Sequence, residues 1–278
     1  MNRKKIMLNG LPGNVTQVIC RQAMADDRIT VLPYSLTGPE IQIHHCHMGE
    51  SAIELIGPDH RDDRITAIKD AEGAFISVDF THPTAVNANA EFYCRHKLPF
   101  VMGTTGGDRD KLNAAVKASS IAAVIAPNMA KQIVGFQAMM AFAAEHFPNL
   151  FKGYSLTIRE SHQAGKADTS GTAKAMVGYF NSMGIDFTPD QIEKERDPER
   201  QRNMWGIPAE HLAGHGWHTY TLISGDQSTK FEFTHNINGR EIYGEGTLDA
   251  VLFLTRKVDQ GAKGQVFTMM DVLKTGGL

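Results

Sequence analysis

Apolar positions in the first half of the chain fall into short runs separated by stretches of helical period. Ile6-Met7-Leu8, Ile29 to Leu32, Phe75 to Phe80, Pro99 to Met102 and Ile121 to Ile125 each end in glycine, proline or small polar residues, as strands do. Between them, Val15, Val18, Ile19 and Ala23 recur at roughly helical spacing. The charged Asp59 to Asp63 segment opens a helix toward Lys69, another helix runs from about Thr84 to His96, and a third lies around Leu112, Ala115 and Val116. Ile41 to His47 and Ala52 to Ile56 read as peripheral strands. Strand and helix in alternation predict an α/β fold, a Rossmann-type doubly wound parallel sheet.

The pattern changes further on. Ile133 to Phe147 has helical spacing closed by Pro148-Asn149, and Tyr154 to Arg159 alternates like a strand that delivers a loop from Glu160 to Ala173. Ala173, Met176, Val177 and Phe180 then mark a helix stopped by Gly184. Thr188-Pro189-Asp190-Gln191 reads as a capping box with proline at the first helical position. The charges from Glu193 to Arg202 read as a solvated face, and Gly214 to His218 as a glycine-rich loop before the strand Thr219 to Ile223. Lys230 to Thr234 is a further strand, and Asn238-Gly239 a tight turn. Strands without intervening helices predict a second α+β domain with an open mixed sheet.

Composition narrows the partners. A chain of 278 residues can hold two modest domains. A net charge of −3 and a pI near 6.5 supply no basic field for nucleic acid or an anionic membrane. No apolar run approaches the roughly 18 residues of a membrane span. Small molecules and further copies of the chain are the expected partners. Cys20, Cys46 and Cys94 are too scattered for a disulfide framework or a metal knuckle, and no leader is visible, so a reducing cytoplasm is the expected home. In Ile41 to His47 only His45 with His47, or His44 with Cys46, share a strand face, so a solvated edge strand is expected and no metal site.

The strand ends carry the candidate chemistry. Gly10-Leu11-Pro12-Gly13-Asn14-Val15-Thr16 joins a strand to a helix as G-x-x-G-x-x-T: glycines let a pyrophosphate approach, and the helix start faces its charge. Thr16 stands where a third glycine would pack helix on strand. After the second strand, Ser35-Leu36-Thr37 contains no acid for a ribose diol and no arginine. Ser35 and Thr37 tolerate a 2′-phosphate, which favours NADPH while leaving NADH usable. Phe80-Thr81, Gly103-Thr104-Thr105 and Ala126-Pro127-Asn128-Met129 end three successive strands, and in a doubly wound sheet such ends converge on the ligand.

Residues 160 to 173 are the most distinctive stretch: Glu160-Ser161-His162-Gln163-Ala164-Gly165-Lys166-Ala167-Asp168-Thr169-Ser170-Gly171-Thr172-Ala173. A helix entrance at Ser170-Gly171-Thr172 offers unpaired N–H groups to an anion. Lys166 adds a full positive charge, and His162 is a group able to exchange a proton near neutrality. The segment reads as a site that holds a small carboxylate and protonates it.

This stretch resembles the active-site signature of the dihydrodipicolinate reductases, E-[SA]-H-x-x-x-K-x-D-(one or two residues)-S-G-T-A. A single Thr169 and Gln163 after His162 are similar to the plant-type branch; many bacterial members carry a second histidine at the Gln163 place and Ala-Pro at the Thr169 place. The family's G-x-x-G-x-x-G and its cofactor-contacting loops match the strand ends above in order and spacing. The resemblance implies NAD(P)H-dependent reduction of 4-hydroxy-tetrahydrodipicolinate to tetrahydrodipicolinate in lysine and diaminopimelate biosynthesis. It also implies Lys166 as proton donor with His162 completing proton delivery, and one substrate carboxylate on Ser170, Gly171 and Thr172. Gln163 would donate to substrate without carrying charge. Glu160 and Asp168 are then capping groups rather than acids, because a carboxylate beside a dianion opposes binding. Thr247 to Val258 and Gln265 to Lys274 resemble the segment that returns to the nucleotide domain. That gives a discontinuous dinucleotide-binding domain, 1–130 and 241–278, around a substrate-binding and oligomerisation domain, 131–240, whose sheet joins a homotetramer. A related reductase of another carboxylate-bearing imine and a non-catalytic nucleotide sensor stay open, since a fold does not fix a function.

Overall fold

The computed structural model describes residues 3–275, which divide into two compact units. One unit runs to Lys131 and resumes at Glu241; the other is Gln132–Arg240.

The first unit begins with β1 (Lys4–Asn9), α1 (Asn14–Met24), β2 (Ile29–Val31), β3 (Tyr34–Leu36), β4 (His45–Met48) and β5 (Ser51–Ile56). It continues through α2 (Arg61–Glu72), β6 (Ile76–Asp79), α3 (Val86–Arg95), β7 (Phe100–Met102), α4 (Arg109–Lys117) and β8 (Ala122–Ile125). The second unit holds α5 (Lys131–His146) from its second residue on, β9 (Tyr154–His162), α6 (Gly171–Ser182), β10 (Glu193–Glu195), α7 (Pro198–Asn203), β11 (His215–Ser224) and β12 (Lys230–Asn238). The chain returns with α8 (Glu241–Asp259), β13 (Gln265–Phe267) and α9 (Met269–Lys274).

Six strands form the main sheet in the order β13-β8-β7-β6-β1-β2, every pairing parallel. Parallel strands covered on both faces need continuous apolar runs, which is why Ile6-Met7-Leu8 and Phe100-Val101-Met102 are wholly buried. On one face Met7, Phe100 and Met102 pack with Ile65 and Ile68 of α2, Phe92 and Tyr93 of α3, and Leu112 and Val116 of α4. Each such side chain contributes about 1.5–3 kcal/mol by leaving water. A separate three-stranded sheet, β3-β5-β4, has β5 at its centre and β4 at its solvated edge. Ile41 to Ile43, expected in that edge strand, precede it.

Helix α8 starts two turns before the expected Thr247, because Gly244 and Gly246 act as contact residues rather than breakers. A Cβ on Gly246 would collide with the Met129 carbonyl, and one on Gly244 with the Gln22 side chain.

In the second unit the sheet order is β10-β9-β11-β12, with β10 parallel to β9 and the other pairings antiparallel. Leu156 and Ile158 of β9 and Tyr220 and Leu222 of β11 face Met176, Val177 and Phe180 of α6, while Thr157, Arg159, Thr219 and Thr221 lie on the opposite, more open face. Two expectations need correction. Glu160 to His162 belong to the strand rather than a loop, and β11 begins at His215 instead of Thr219. Polar side chains at these strand ends break the apolar alternation, which hides the strand from a periodicity reading.

Candidate active site

At the carboxyl ends of the parallel strands in the first unit, the glycines are sites of close approach. Gly10 has φ +106, and a Cβ on it would collide with the Phe80 carbonyl; one on Gly103 would collide with the Phe80 ring. Gly13 is the N-cap of α1 with no side-chain cap bond, so the first N–H groups of that helix at Asn14 and Val15 are available to an anion. Thr16 is fully buried beneath Gly13, in the place expected for a third glycine.

Ser35 and Thr37 are committed within the protein. Ser35 Oγ accepts from the Leu11 N–H at 3.2 Å and Thr37 Oγ1 donates to the Leu11 carbonyl at 3.0 Å, so both brace the Gly10–Gly13 turn. The carboxylate of Glu40 folds back over Gly38, just past the end of β3. It lies outside positions 35–37, where an acid is expected, because the turn at Gly38-Pro39 brings it back.

Asp79 ties the other ends together. Its buried carboxylate accepts from the Thr104 hydroxyl at 2.6 Å, the Thr81 hydroxyl at 2.9 Å, Asn89 Nδ2 at 3.0 Å and the Tyr93 hydroxyl at 2.7 Å. The Thr81 N–H donates in turn to Thr104 Oγ1 at 2.9 Å, whereas Thr105 is exposed. After β8, the Ala126 N–H donates to the Met102 carbonyl at 3.0 Å and Asn128 Oδ1 accepts from the Ala130 N–H at 2.9 Å. Pro127 is exposed and Met129 buried.

In the second unit the signature is assembled around Glu160, which has no solvent exposure. One of its oxygens accepts from the Ser170 N–H at 3.0 Å and the other from Arg196 Nη2. Ser170 is the N-cap of α6 and makes no side-chain cap bond, while Gly171 faces open space. The Gly171 and Thr172 N–H groups therefore stand at a positive helix end without a capping side chain. Lys166 Nζ donates to Asp168 Oδ1 at 2.7 Å, and that contact holds the Asp168 carboxyl below its usual range. Gln163 is half-buried, with its carbonyl accepting from the Lys166 N–H at 3.0 Å.

His162 Nδ1 lies 3.0 Å from the His215 carbonyl. A carbonyl only accepts, so Nδ1 carries the hydrogen and the neutral ring presents its lone pair at Nε2, which is buried without a protein partner. Burial, ahead of every charge nearby, pushes the ring down to about 4. The same cause lowers His218 well below its ordinary value and His235 to about 4. These rings form a cluster: His162 meets His218 edge-on with centroids 5.1 Å apart, and His218 stacks on His235 at 4.6 Å. Register explains it, for Glu160, His218 and His235 lie opposite one another on β9, β11 and β12. Gly216, opposite His162, leaves the room its ring occupies.

Glu160, His162 and His218 bring ligand-type atoms close together, but a guanidinium already holds the Glu160 carboxylate and the His162 Nδ1 hydrogen is spent on the His215 carbonyl, so the cluster is described by imidazole packing around an ion pair. Among the described residues no third ligand joins His45 and His47.

Sequence reasoning missed Arg196, Gln201, His215 and His218. Most charges from Glu193 to Arg202 are exposed, as expected of a solvated face, but Glu195 and Arg196 turn inward, and Gln201 is fully buried with Nε2 donating to the His162 carbonyl at 2.7 Å. The histidines beside Gly214, read as a loop, reach the site through β11. A hidden signal exists in Glu195-Arg196 and His215-x-x-His218, but the pairing that gives it meaning is long-range.

Comparison with known proteins matches residues 4–129 to the family model "Dihydrodipicolinate reductase, N-terminus" and residues 133–273 to "Dihydrodipicolinate reductase, C-terminus". A 4-hydroxy-tetrahydrodipicolinate reductase 1, chloroplastic, of Arabidopsis thaliana is 43% identical over 277 residues, covering 100% of this chain and 80% of the relative. A probable 4-hydroxy-tetrahydrodipicolinate reductase 2, chloroplastic, of Oryza sativa subsp. japonica is 42% identical, covering 98% and 84%. A dipicolinate-bound dihydrodipicolinate reductase from Paenisporosarcina sp. TG-14 shares the fold, with a TM-score of 0.65 at 16% identity over 96% of this chain and 98% of that one. The chloroplastic relatives overturn the expected cytoplasmic home. Scattered cysteines do not single out one compartment. With both family models matched in order and relatives above 40% identity along nearly its whole length, the chain belongs to the dihydrodipicolinate reductase family.

Proposed function

We propose that this chain carries out its family's reaction, the NAD(P)H-dependent reduction of 4-hydroxy-tetrahydrodipicolinate in lysine biosynthesis, with the cofactor on the first unit and the substrate on the second. The observation that supports the substrate half most strongly is the uncapped start of α6, joined through Glu160 and Arg196 to the Lys166 loop. The Gly171 and Thr172 N–H groups with the Ser170 and Thr172 hydroxyls bind one carboxylate, and Gln163 donates to the substrate. Lys166 attracts the dianion and supplies the proton. Asp168 shares its ammonium at rest and is displaced by the substrate's stronger negative charge.

His162 takes a different part from the proton carrier expected of it. Held neutral, it offers a lone pair at Nε2, so it accepts a hydrogen bond and orients the ring while Lys166 donates.

The dinucleotide supplies the hydride. Gly10-Leu11-Pro12-Gly13 with Asn14 and Val15 receive its pyrophosphate, braced by Ser35 and Thr37. Phe80-Thr81, Gly103-Thr104-Thr105 and Ala126 to Met129 flank the nicotinamide half. The glycine turn accepts either reduced cofactor, and the Glu40 carboxylate past β3 weighs against the 2′-phosphate. The open face and edge of the β9–β12 sheet join subunits into a homotetramer.

The test is to supply the aldolase product of pyruvate and aspartate semialdehyde and follow oxidation of each reduced cofactor. Lys166→Ala should lower kcat by about two to four orders of magnitude with the cofactor Kd unchanged. Undiminished turnover in that variant removes Lys166 and this site.

A further inference from the structure

The Lys166 loop has little structure of its own. Between β9 and α6, residues 163–170 form no helix or strand, and the loop is tied within itself by the Lys166 N–H donating to the Gln163 carbonyl at 3.0 Å. Yet it must hold an ammonium and a helix start in fixed relation. Arg196, which follows β10, supplies the missing bonds. Its Nε donates to the Lys166 carbonyl at 2.7 Å, Nη2 to Glu160 and to the Asp168 carbonyl at 3.3 Å, and Nη1 to the Glu195 carbonyl at 2.9 Å.

Four of the five guanidinium donors are thus committed to protein acceptors, three of them on the β9–α6 connection or the strand end that begins it. Glu160, fully buried, passes the constraint on to the Ser170 N–H. The Arg196 side chain is 18% exposed, so it is set beneath the loop rather than over it. Its own position is fixed in turn: Glu195 accepts from the Arg196 and Asp197 N–H groups, each at 3.0 Å.

We propose that Arg196 is a positioning residue for the reduction: it touches no substrate, but sets the backbone of Lys166 and, through Glu160, the N–H groups at the start of α6. A planar fork can reach several carbonyls and a carboxylate at once, which an ammonium cannot. The inference rests on the proposed role of Lys166 and Ser170–Thr172.

The experiment compares Arg196→Lys, Arg196→Met, Glu160→Gln and the double variant Arg196→Met/Glu160→Gln, with Lys166→Ala as reference. Steady-state kinetics for substrate and cofactor and thermal melting are measured for each. Displacing reacting groups by about 1 Å costs on the order of 100-fold in kcat. A loss of that size is expected in Arg196→Met, with partial recovery in Arg196→Lys and an unchanged KM for cofactor. Arg196→Met alone leaves a buried carboxylate unpaired and should melt lower. The double variant removes both charges and should regain melting temperature while kcat stays low, which separates position from stability. Full activity in Arg196→Lys, or recovered kcat in the double variant, shows that Arg196 only neutralises Glu160 and overturns the proposal. If Lys166→Ala is impaired and the Arg196 variants are not, positioning alone fails. An unimpaired Lys166→Ala instead sinks the site on which it stands.

Discussion

His162 and His235 are both held near 4 by burial, whereas a histidine in an unfolded chain titrates near 6.5. Between those values the unfolded chain binds the extra protons, so each ring contributes stability that is fully present above 6.5 and is lost as pH falls toward 4. For His162 the full loss is on the order of 3 kcal/mol. Urea unfolding should therefore show a falling midpoint between pH 6.5 and 4.5, and His235→Gln should flatten that fall. A midpoint constant over this window would mean that the rings are not neutral in the native protein. Glu40 carries a second test. A carboxylate at the end of β3 accepts a ribose diol and repels a 2′-phosphate. Glu40→Ala should then raise the ratio of kcat/KM for NADPH over NADH, and an unaltered ratio would place the ribose elsewhere.

The strand ends of the first unit are held by Asp79 more than by the loops themselves. With four side-chain donors converging on one buried carboxylate, Asp79→Ala strands the Thr81, Asn89, Thr104 and Tyr93 groups. Hydrogen bonds to a charged group are worth about 1.5–3 kcal/mol each, so a stability loss of at least about 2 kcal/mol is expected, with a raised KM for cofactor and little change in substrate KM. A change in substrate KM alone would reverse the assignment of the two ligands. These elements were legible because buried parallel strands declare themselves as apolar runs, and because Gly10, Gly103 and the signature from Glu160 to Ala173 are local in sequence. What escaped was long-range. His218 enters the site through the pairing of β11 with β9, and Arg196 sits in a run of charges that looks solvated until β10 pairs with β9. Periodicity records which face of an element is apolar, but it does not record which elements meet.

Four copies joined through the β9–β12 sheet would resolve a feature that a lone chain leaves open. β12 is a nine-residue edge strand, and the sheet face bearing Thr157, Arg159, Thr219, Thr221 and Thr234 is not covered by α6. Long open edges invite pairing with another chain. Threonines and paired charges share this face: Thr234 and Thr219 hydroxyls lie 3.3 Å apart, Thr221 is bonded to Glu232 at 3.1 Å, and Arg159 pairs with Glu193 and Lys230 with Glu232. Such a face suits a wet, hydrogen-bonded interface better than a greasy one. Sedimentation at micromolar concentration should give four chains per particle. Thr219→Arg/Thr234→Arg would add two charges to each sheet and, if that face is the interface, shift the particle toward smaller species. The bound cofactor per chain should not change, because those threonines lie in the unit that does not carry the Gly10–Gly13 turn. Tetramers that survive the double substitution would move the interface off this sheet, to which the exposed Met139, Phe142, Phe147 and Leu150 of the same unit offer an apolar alternative.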